Sequence, residues 1–254
     1  MDEYVRSHGM NIGIIGAGAI GAELARKLSS AGHVVRLANS RDPASLAESI
    51  QGTNILAVTA TEAAQGAQVV ILSLPFNVNR EAARLLESAP ADAIIIDTSN
   101  YYPFRDGDIS DVRNGKPETV WVSEQVGKPV IKAWNALGSA TLKAASREPG
   151  APGRLAIPIS GDNVTAKQIV AELVNDTGFD VVDAGPLAES WRQQPGTPAY
   201  CTELAIDELK RALAAANAAS APKNRDALIQ AVMAGHVATD RGSLVAANRS
   251  TNHG

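Results

Sequence analysis

The sequence predicts an α/β fold built on a doubly wound parallel sheet, followed by a small C-terminal helical extension. Three observations carry that prediction. A glycine-rich turn, Gly16-Ala17-Gly18-Ala19-Ile20-Gly21, stands between the apolar run Met10 to Ile15 and an amphipathic stretch, Ala19 to Ala31. Short apolar runs then alternate with helical patterns over ~170 residues, as parallel sheets with crossover helices require. After Gly185 the alternation stops and only helical segments follow.

Each element has a local reason. Ile20, Leu24 and Leu28 recur every four residues and give the first helix a buried stripe, and Gly32 ends it in the C′ role. His33 to Ala38 reads as the second strand, Pro43 to Gln51 as a short helix, and Ile55 to Val58 as a weak third strand with Thr61 capping the next helix. Val69 to Leu74 is a continuous apolar run of the kind buried in a parallel sheet. Asn79 to Ala89 is predicted helical and Ala93 to Asp97 a further buried strand. Thr98 to Pro117 is polar and irregular, with a helix up to Val126 behind it. Val130 to Ala133 is a short strand, Gly138 to Ser146 a short helix, and Glu148 to Gly153 a loop. Leu155 to Ser160 returns to strand, Val164 to Asn175 to helix, and Phe179 to Val182 is the last strand. Leu187 to Gln194 is helical; Pro198 to Ala218 is read as one long alanine-rich helix with Thr197 as its cap, and Arg225 to His236 as another. Ala238 to Gly254 is polar and is expected to fray. The expected division is therefore residues 10–184 for the sheet domain, 185–240 for a helical segment serving substrate binding or dimerisation, and 241–254 for a flexible tail.

The glycine turn points to a dinucleotide. Gly16 allows the tight turn out of the strand, Gly18 leaves the backbone free to approach a diphosphate, and Gly21 lets the helix pack close. The helix N-terminus then faces negative charge. At the end of the second strand, where an NAD-binding protein carries an acid, the chain reads Asn39-Ser40-Arg41. An arginine pairs with a 2′-phosphate that a carboxylate would repel, so the expected cofactor is NADP(H). The bland alternative for Arg41 is a solvated residue before the helix that Asp42-Pro43 open.

Composition narrows the rest. The 254 residues carry a formal net charge of -4 and 45% hydrophobic residues, which fits a globular core and gives no basic footprint for nucleic acid. Cys201 is the single cysteine, so an internal disulfide is impossible, and a reducing, cytoplasmic setting is expected. Residues 1 to 9 read as a loose extension without a secretory signal, and no apolar run reaches the ~20 residues of a membrane span. The histidines His8, His33, His236 and His253 are scattered without metal-ligand spacing, so no metal is expected.

Ligands in such sheets lie beyond the carboxyl ends of the strands. Leu74-Pro75-Phe76 ends one strand: Phe76 offers a flat face to the dinucleotide or serves as a core turn. Thr98-Ser99-Asn100 ends the next, as ribose ligands or plain caps. In Trp134-Asn135-Ala136-Leu137, Asn135 is a candidate to present its amide to the nicotinamide or the substrate, and Trp134 reads as core or stacking surface. Leu187, Ser190 and Trp191, in Asp183-Ala-Gly-Pro-Leu-Ala-Glu-Ser-Trp191, are candidates for the wall of a second-substrate pocket or for a structural corner. Cys201 reads as a small buried hydrophobe.

From Met10 to Trp191 the chain resembles the deazaflavin (coenzyme F-420)-dependent NADP oxidoreductases, and more distantly the reductase domain of the STEAP ferric reductases. The likeness rests on the glycine turn, Gly32-His33, Ser40-Arg41, Leu74-Pro75-Phe76, Ser160-Gly161-Asp162 and Asp183-Ala-Gly-Pro-Leu187. It implies a Rossmann NADP-binding fold, with the backbone from Ala17 to Ile20 on the nucleotide and Ser40 and Arg41 on its 2′-phosphate. It also implies Pro75 near the nicotinamide side and a homodimer through the C-terminal helices. Ala17 replaces a residue that is often threonine in the archaeal enzymes, Phe76 stands for tryptophan and Asn135 for histidine, and one extra residue precedes Ser40-Arg41. The implied chemistry is hydride transfer between stacked planar rings, with a small-molecule acceptor, a flavin or deazaflavin, as second substrate. That chemistry requires no acid–base dyad, so no catalytic residue is named. Two other readings stay open. One is a reductase of a small carbonyl or imine substrate; proteins of the hydroxyacid dehydrogenase group add a larger helical domain with a catalytic lysine, whereas this tail holds only Lys210 and Lys223. The other is a non-catalytic NADP(H)-binding redox sensor.

Overall fold

The computed structural model describes residues 9–252; most of the expected N-terminal extension, His8 and His253 lie outside the described residues. The chain divides into two compact units, one formed by Met1–Ser99 and Val122–Val130, the other by Asn100–Trp121 and Ile131–Gly254.

The first unit is built from β1 (Asn11–Ile15), α1 (Ala19–Ser30), β2 (Val34–Ala38), β3 (Leu56–Ala57), α2 (Ala60–Ala64), β4 (Val69–Leu72), α3 (Asn79–Leu85) and β5 (Ile94–Asp97). β1 pairs in parallel with β2 on one side and β4 on the other; β3 extends the sheet beyond β2, and β5 beyond β4. With β6 (Val130–Lys132), which begins at the unit's last residue, the sheet has six strands in the order β3-β2-β1-β4-β5-β6. This is the doubly wound, Rossmann-like α/β order, and its direction of growth reverses between β1 and β4. All four residues of β4 are buried, as the apolar run predicts.

α1 buries Gly21, Leu24, Ala25 and Leu28. It stops in a Schellman arrangement: the Gly32 N–H donates to the Ser29 carbonyl at 3.1 Å and the His33 N–H to the Leu28 carbonyl at 3.1 Å, with Gly32 at φ +97°. α2 is capped by Thr59 and not by the expected Thr61. Only Thr59 has a glutamate three residues on, so the Thr59 N–H donates to Glu62 at 2.8 Å while Thr59 Oγ1 accepts from the Glu62 N–H at 3.3 Å.

The expected helix Pro43 to Gln51 shortens to a 3-10 turn, Pro43–Leu46. The Ser45 and Ser49 hydroxyls donate to carbonyls three residues back, Asp42 and Leu46, and so favour turns over continued helix. The helix after β4 likewise ends at Leu85 and continues as a 3-10 turn, Leu86–Ser88, before Pro90.

The second unit contains α4 (Pro103–Asp106), α5 (Ser110–Arg113), the start of α6 (Glu118–Val126), α7 (Ser139–Ala144), β7 (Ala156–Ile159), α8 (Val164–Asp176), β8 (Asp180–Asp183), a 3-10 turn Leu187–Gln193, and α9 (Ile206–Ala214), α10 (Ala221–Met233) and α11 (Arg241–Thr251). The sequence places β7 and β8 in the alternating parallel pattern; instead they pair with each other as a separate two-stranded parallel sheet. Pro158 sits in the middle of β7, lacks an N–H to donate, and makes β7 an edge strand. The end of β6 meets β7 only through an antiparallel bridge, with Lys132 N–H to Ser160 O at 2.8 Å and the reverse bond at 3.1 Å.

The tail differs most from expectation. The long helix from Pro198 to Ala218 is reduced to α9. Cys201 and Glu203 adopt φ +53° and +52°, which no α-helix includes, and Thr197 Oγ1 donates to the Gln194 carbonyl at 2.8 Å where a helix cap was expected. Leu209 and Leu213 of α9 pack with Ala156, Val182 and Ala199 in one buried cluster, so α9 covers β7 and β8. The polar end expected to fray folds as α11. Asp240 caps it by accepting the Ser243 N–H at 3.0 Å, and Arg241 grips the Glu203 carboxylate at 2.6 and 3.0 Å. Arg249 adds bonds to the Thr202 and Glu203 carbonyls at 2.8 and 2.9 Å. These fixed acceptors are tertiary, so sequence polarity alone reads the segment as solvated. Among the described residues no helix is long and apolar enough to cross a membrane.

Candidate functional site

The carboxyl end of β1 opens onto the glycine turn, where each of the three glycines has a different reason. Gly16 stands at φ +111°, and a Cβ there would lie 2.1 Å from the Ser73 carbonyl oxygen. A Cβ at Gly21 would lie 1.9 Å from the Gly16 oxygen. Both are therefore required by the fold itself: β1, the start of α1 and the segment after β4 approach too closely for any side chain. Gly18 differs. Its backbone angles, φ -72° and ψ -172°, suit any residue, and a Cβ there would meet nothing within 4 Å. Neither conformation nor packing requires a glycine at position 18.

Gly18 is also the N-cap of α1, and it brings no side chain to bond the N–H groups of the first turn. Ala19 and Ile20 follow as the first helical residues of a twelve-residue helix. Ala17, Gly18, Ala19 and Ile20 thus form one exposed or half-exposed backbone segment with donor groups and a favourable helix dipole, which fits a diphosphate.

The end of β2 is tied to this turn, because the Gly16 N–H donates to the Ala38 carbonyl at 2.8 Å. Asn39, Ser40 and Arg41 follow directly. Asn39 is half-buried; Ser40 and Arg41 are exposed. Asn39 Oδ1 accepts the Arg41 N–H at 2.9 Å and Asn39 Nδ2 donates to Ser45 Oγ at 2.9 Å. The Ser40 hydroxyl and the Arg41 guanidinium make no hydrogen bond or ion pair among the described residues. The donor set beside the glycine turn, one hydroxyl and one guanidinium without a facing carboxylate partner, fits a phosphate ester.

Beyond β4, Leu74 is half-buried and Pro75 exposed. Phe76 is 0% exposed, so its ring belongs to the core and presents no flat face at the surface. The turn is fixed from below: Asn79 Nδ2 donates to the Phe76 carbonyl at 3.2 Å and to Ser99 Oγ at 3.1 Å, and Ser99 Oγ donates to Asp97 Oδ1 at 2.6 Å. Ser99, at the end of β5, therefore acts as a link in a buried polar chain.

The remaining candidates lie in the second unit. Asn135 is buried, and its side chain is spent inside the protein. Nδ2 donates to Asn100 Oδ1 at 3.0 Å and to the Gln193 carbonyl at 2.8 Å, while Oδ1 accepts from Gln193 Nε2 at 2.8 Å. Asn100 Nδ2 in turn donates to the Asn135 carbonyl at 2.9 Å, and the Ala136 carbonyl accepts the Cys201 N–H at 3.0 Å. The structure thus brings Asn100, Asn135 and Ala136 together, but as a mutual staple, with neither amide turned outward as the sequence reading expected. Trp134 is core, with Nε1 donating to Thr177 Oγ1 at 3.2 Å. Gln193, missed in the sequence, completes the network by accepting from Ser160 Oγ at 2.8 Å. A lone glutamine in a polar stretch offers no sequence signal for that role.

Leu187 is buried and its N–H donates to Asp162 Oδ1 at 3.0 Å, which joins two of the motifs quoted above. Ser190 is fully buried and its hydroxyl has no partner among the described residues. Trp191 is half-buried with the Arg192 guanidinium 4.3 Å above its ring. Tyr102 and Tyr200 share a hydroxyl contact of 2.6 Å, and burial holds both phenols above their ordinary range. Burial likewise pushes the Cys201 thiol up to about 12, so it is neutral at physiological pH and no nucleophile. Among the described residues no three His, Cys, Asp or Glu side chains are grouped to hold a metal ion.

Residues 11–101 match the family model described as NADP oxidoreductase, coenzyme F420-dependent. A solved structure of a hypothetical protein, SMa0349 from Sinorhizobium meliloti, is 35% identical with a TM-score of 0.67, over 81% of this chain and 98% of that one. A proposed F420-dependent NADP-reductase from Arthrobacter sp. FB24 shares the fold at 24% identity and a TM-score of 0.58, over 70% of this chain and 86% of that one. The Escherichia coli K12 protein YjhV is 52% identical over 63 residues, 25% of this chain; the match spans 46% of that protein, about half its length.

Proposed function

The chain belongs to the coenzyme F420-dependent NADP oxidoreductase family, and from that premise we propose that it transfers hydride between NADPH and a flavin-like or deazaflavin acceptor. The observation that carries the reading is Gly18, a glycine with ordinary backbone angles and nothing within 4 Å of its missing side chain. In this reading the backbone from Ala17 to Ile20 holds the diphosphate, Ser40 and Arg41 hold the 2′-phosphate, and Pro75 lies toward the nicotinamide. The bound nicotinamide supplies or receives the hydride; the protein orients it and excludes water. Arg41 is the element of selectivity, because a guanidinium gains from the dianionic ester and little from a hydroxyl. The same reading includes a homodimer through the C-terminal helices and a reducing, cytoplasmic setting. Support for the dimer comes from α10, where Leu228, Ile229 and Val232 are only half-buried and Met233 is 72% exposed; sedimentation velocity tests it.

Calorimetry with NADPH and NADH tests the nucleotide half of the proposal: strong preference for NADPH is expected, and equal affinity or no heat with either refutes it. The acceptor half is tested by following loss of reduced-nicotinamide absorbance with flavins, a deazaflavin, quinones and small carbonyl compounds. Turnover confined to the carbonyl compounds, or binding without turnover on any acceptor, refutes it.

A further inference from the structure

We propose that Asn39 is a positioning residue for NADPH-over-NADH selectivity, holding the loop that presents Ser40 and Arg41 without itself carrying the nucleotide. The inference rests on the nucleotide reading above and assigns within it a role to a residue that touches no phosphate.

Asn39 stands at the first position beyond β2, the place from which an acid reaches a ribose hydroxyl in NAD-binding folds. Here that side chain turns to its own loop. Its carbonyl oxygen accepts the Arg41 N–H at 2.9 Å, closing a tight turn around Ser40. Its amide nitrogen donates to Ser45 Oγ at 2.9 Å, bridging six residues of chain. Ser45 Oγ passes the bond on to the Asp42 carbonyl at 2.6 Å, and Asp42 Oδ1 accepts the Ala44 N–H at 2.8 Å. Leu46, 4% exposed, anchors the far end, and the Gly16–Ala38 hydrogen bond anchors the near end to the diphosphate turn.

Asn39, Asp42 and Ser45 spend their side chains on the loop; Ser40 and Arg41 are exposed and spend theirs on nothing among the described residues. A carboxamide suits position 39, because one atom accepts from the Arg41 N–H and another donates to Ser45 while the group stays neutral. An aspartate could accept from Arg41 but not donate to Ser45, and would set a negative charge beside the phosphate site. Holding the Arg41 backbone in advance lowers the ordering cost of the loop when the phosphate arrives.

The test is titration calorimetry on the full chain with NADPH, NADH and adenosine 2′,5′-bisphosphate. Asn39→Ala and Ser45→Ala break the same bridge from opposite ends, and thermal melts verify that each variant folds. Each is expected to weaken NADPH and the bisphosphate about five- to tenfold, the scale of one net hydrogen bond, with NADH changed less than about twofold. In an Arg41→Ala background, Asn39→Ala is expected to weaken NADPH clearly less than in the unmodified chain, since only Ser40 is left to position. Equal weakening of NADPH and NADH, unchanged NADPH affinity in both variants, or full additivity with Arg41→Ala overturns the inference. An unmodified chain that fails to prefer NADPH over NADH overturns the nucleotide reading itself, a result distinguishable from the others because it needs no variant.

Discussion

Gly18→Ser separates stability from binding. At this position the backbone is extended, φ -72° and ψ -172°, which is the geometry an N-cap serine adopts. The added Cβ meets nothing within 4 Å, so no packing cost arises. The serine hydroxyl can accept an N–H of the first turn of α1, which Gly18 leaves without a side-chain cap. A better cap contributes a few tenths of a kcal/mol over glycine, and the stiffer unfolded chain adds about 0.4–1 kcal/mol. The sum, about 0.5–1.5 kcal/mol, corresponds to a rise of roughly 1–6 °C in the midpoint of a chain this size. The same substitution fills the space assigned to the diphosphate and occupies a donor meant for it. Steric displacement of about 1–3 kcal/mol together with the lost charge-assisted bond predicts at least a hundredfold weaker NADPH binding, of order 3 kcal/mol. Melting without nucleotide and calorimetry with NADPH read the two halves. A lower midpoint would show that the space is not open; unchanged affinity would show that no phosphate passes there. Gly16→Ser and Gly21→Ser are the controls, because each drives a Cβ to within 2.1 and 1.9 Å of a carbonyl oxygen and must destabilise the fold.

Other expectations follow from the same structure. Arg41→Ala should weaken NADPH by about 2–3 kcal/mol, the scale of a charge-assisted pair, and leave NADH nearly unchanged; equal losses would exclude Arg41 as the reader of the phosphate. Glu203 feels burial, which raises its carboxyl, but hydrogen bonds from Arg241 and Thr141 prevail and leave it below the ordinary 4.5. Its contribution to stability is therefore complete above pH 4.5 and lost as the pH falls through the lowered value, so the docking of α11 should weaken only in acid; hydrogen exchange across Arg241–Thr251 that is insensitive to Glu203→Gln would contradict this. Cys201, half-buried and with its thiol pushed up to about 12, should react with thiol reagents at pH 8 more slowly in the folded protein than after unfolding; equal rates in the two states would contradict the raised value.

The glycine turn and its strand–helix setting were legible because their signals are local. A glycine turn needs neighbours only a few residues away, and the charge character of Ser40-Arg41 needs no tertiary partner to be read. The amide pair Asn100 and Asn135 was misread because what decides its role is Gln193, 58 residues beyond Asn135, and nothing in a sequence declares that separation. For Phe76 the sequence leaves two readings: a phenylalanine after a proline fits a ligand face and a core turn equally well, and its full burial above the Asn79–Ser99 chain decides for the second. Thr59 could have been found, since its glutamate lies three residues on and Thr61 has only Ala64 there. The tail was read from helix propensity, and alanine-rich composition is a weak guide where Cys201 and Glu203 stand at positive φ and Glu203 bonds Thr141 and Arg241.

The small sheet of β7 and β8 has a consequence for how the chain is made. Its apolar cover comes from Leu209 and Leu213, and Arg241 and Arg249 then clasp the segment leading into that cover. A ribosome that has released everything up to residue 200 has therefore exposed a strand pair without its lid, whereas the glycine turn, β2 and β4 have long been complete. Nascent chains stalled before and after α9 should differ sharply in protease resistance over 156–183, and chaperones should hold the first kind longer.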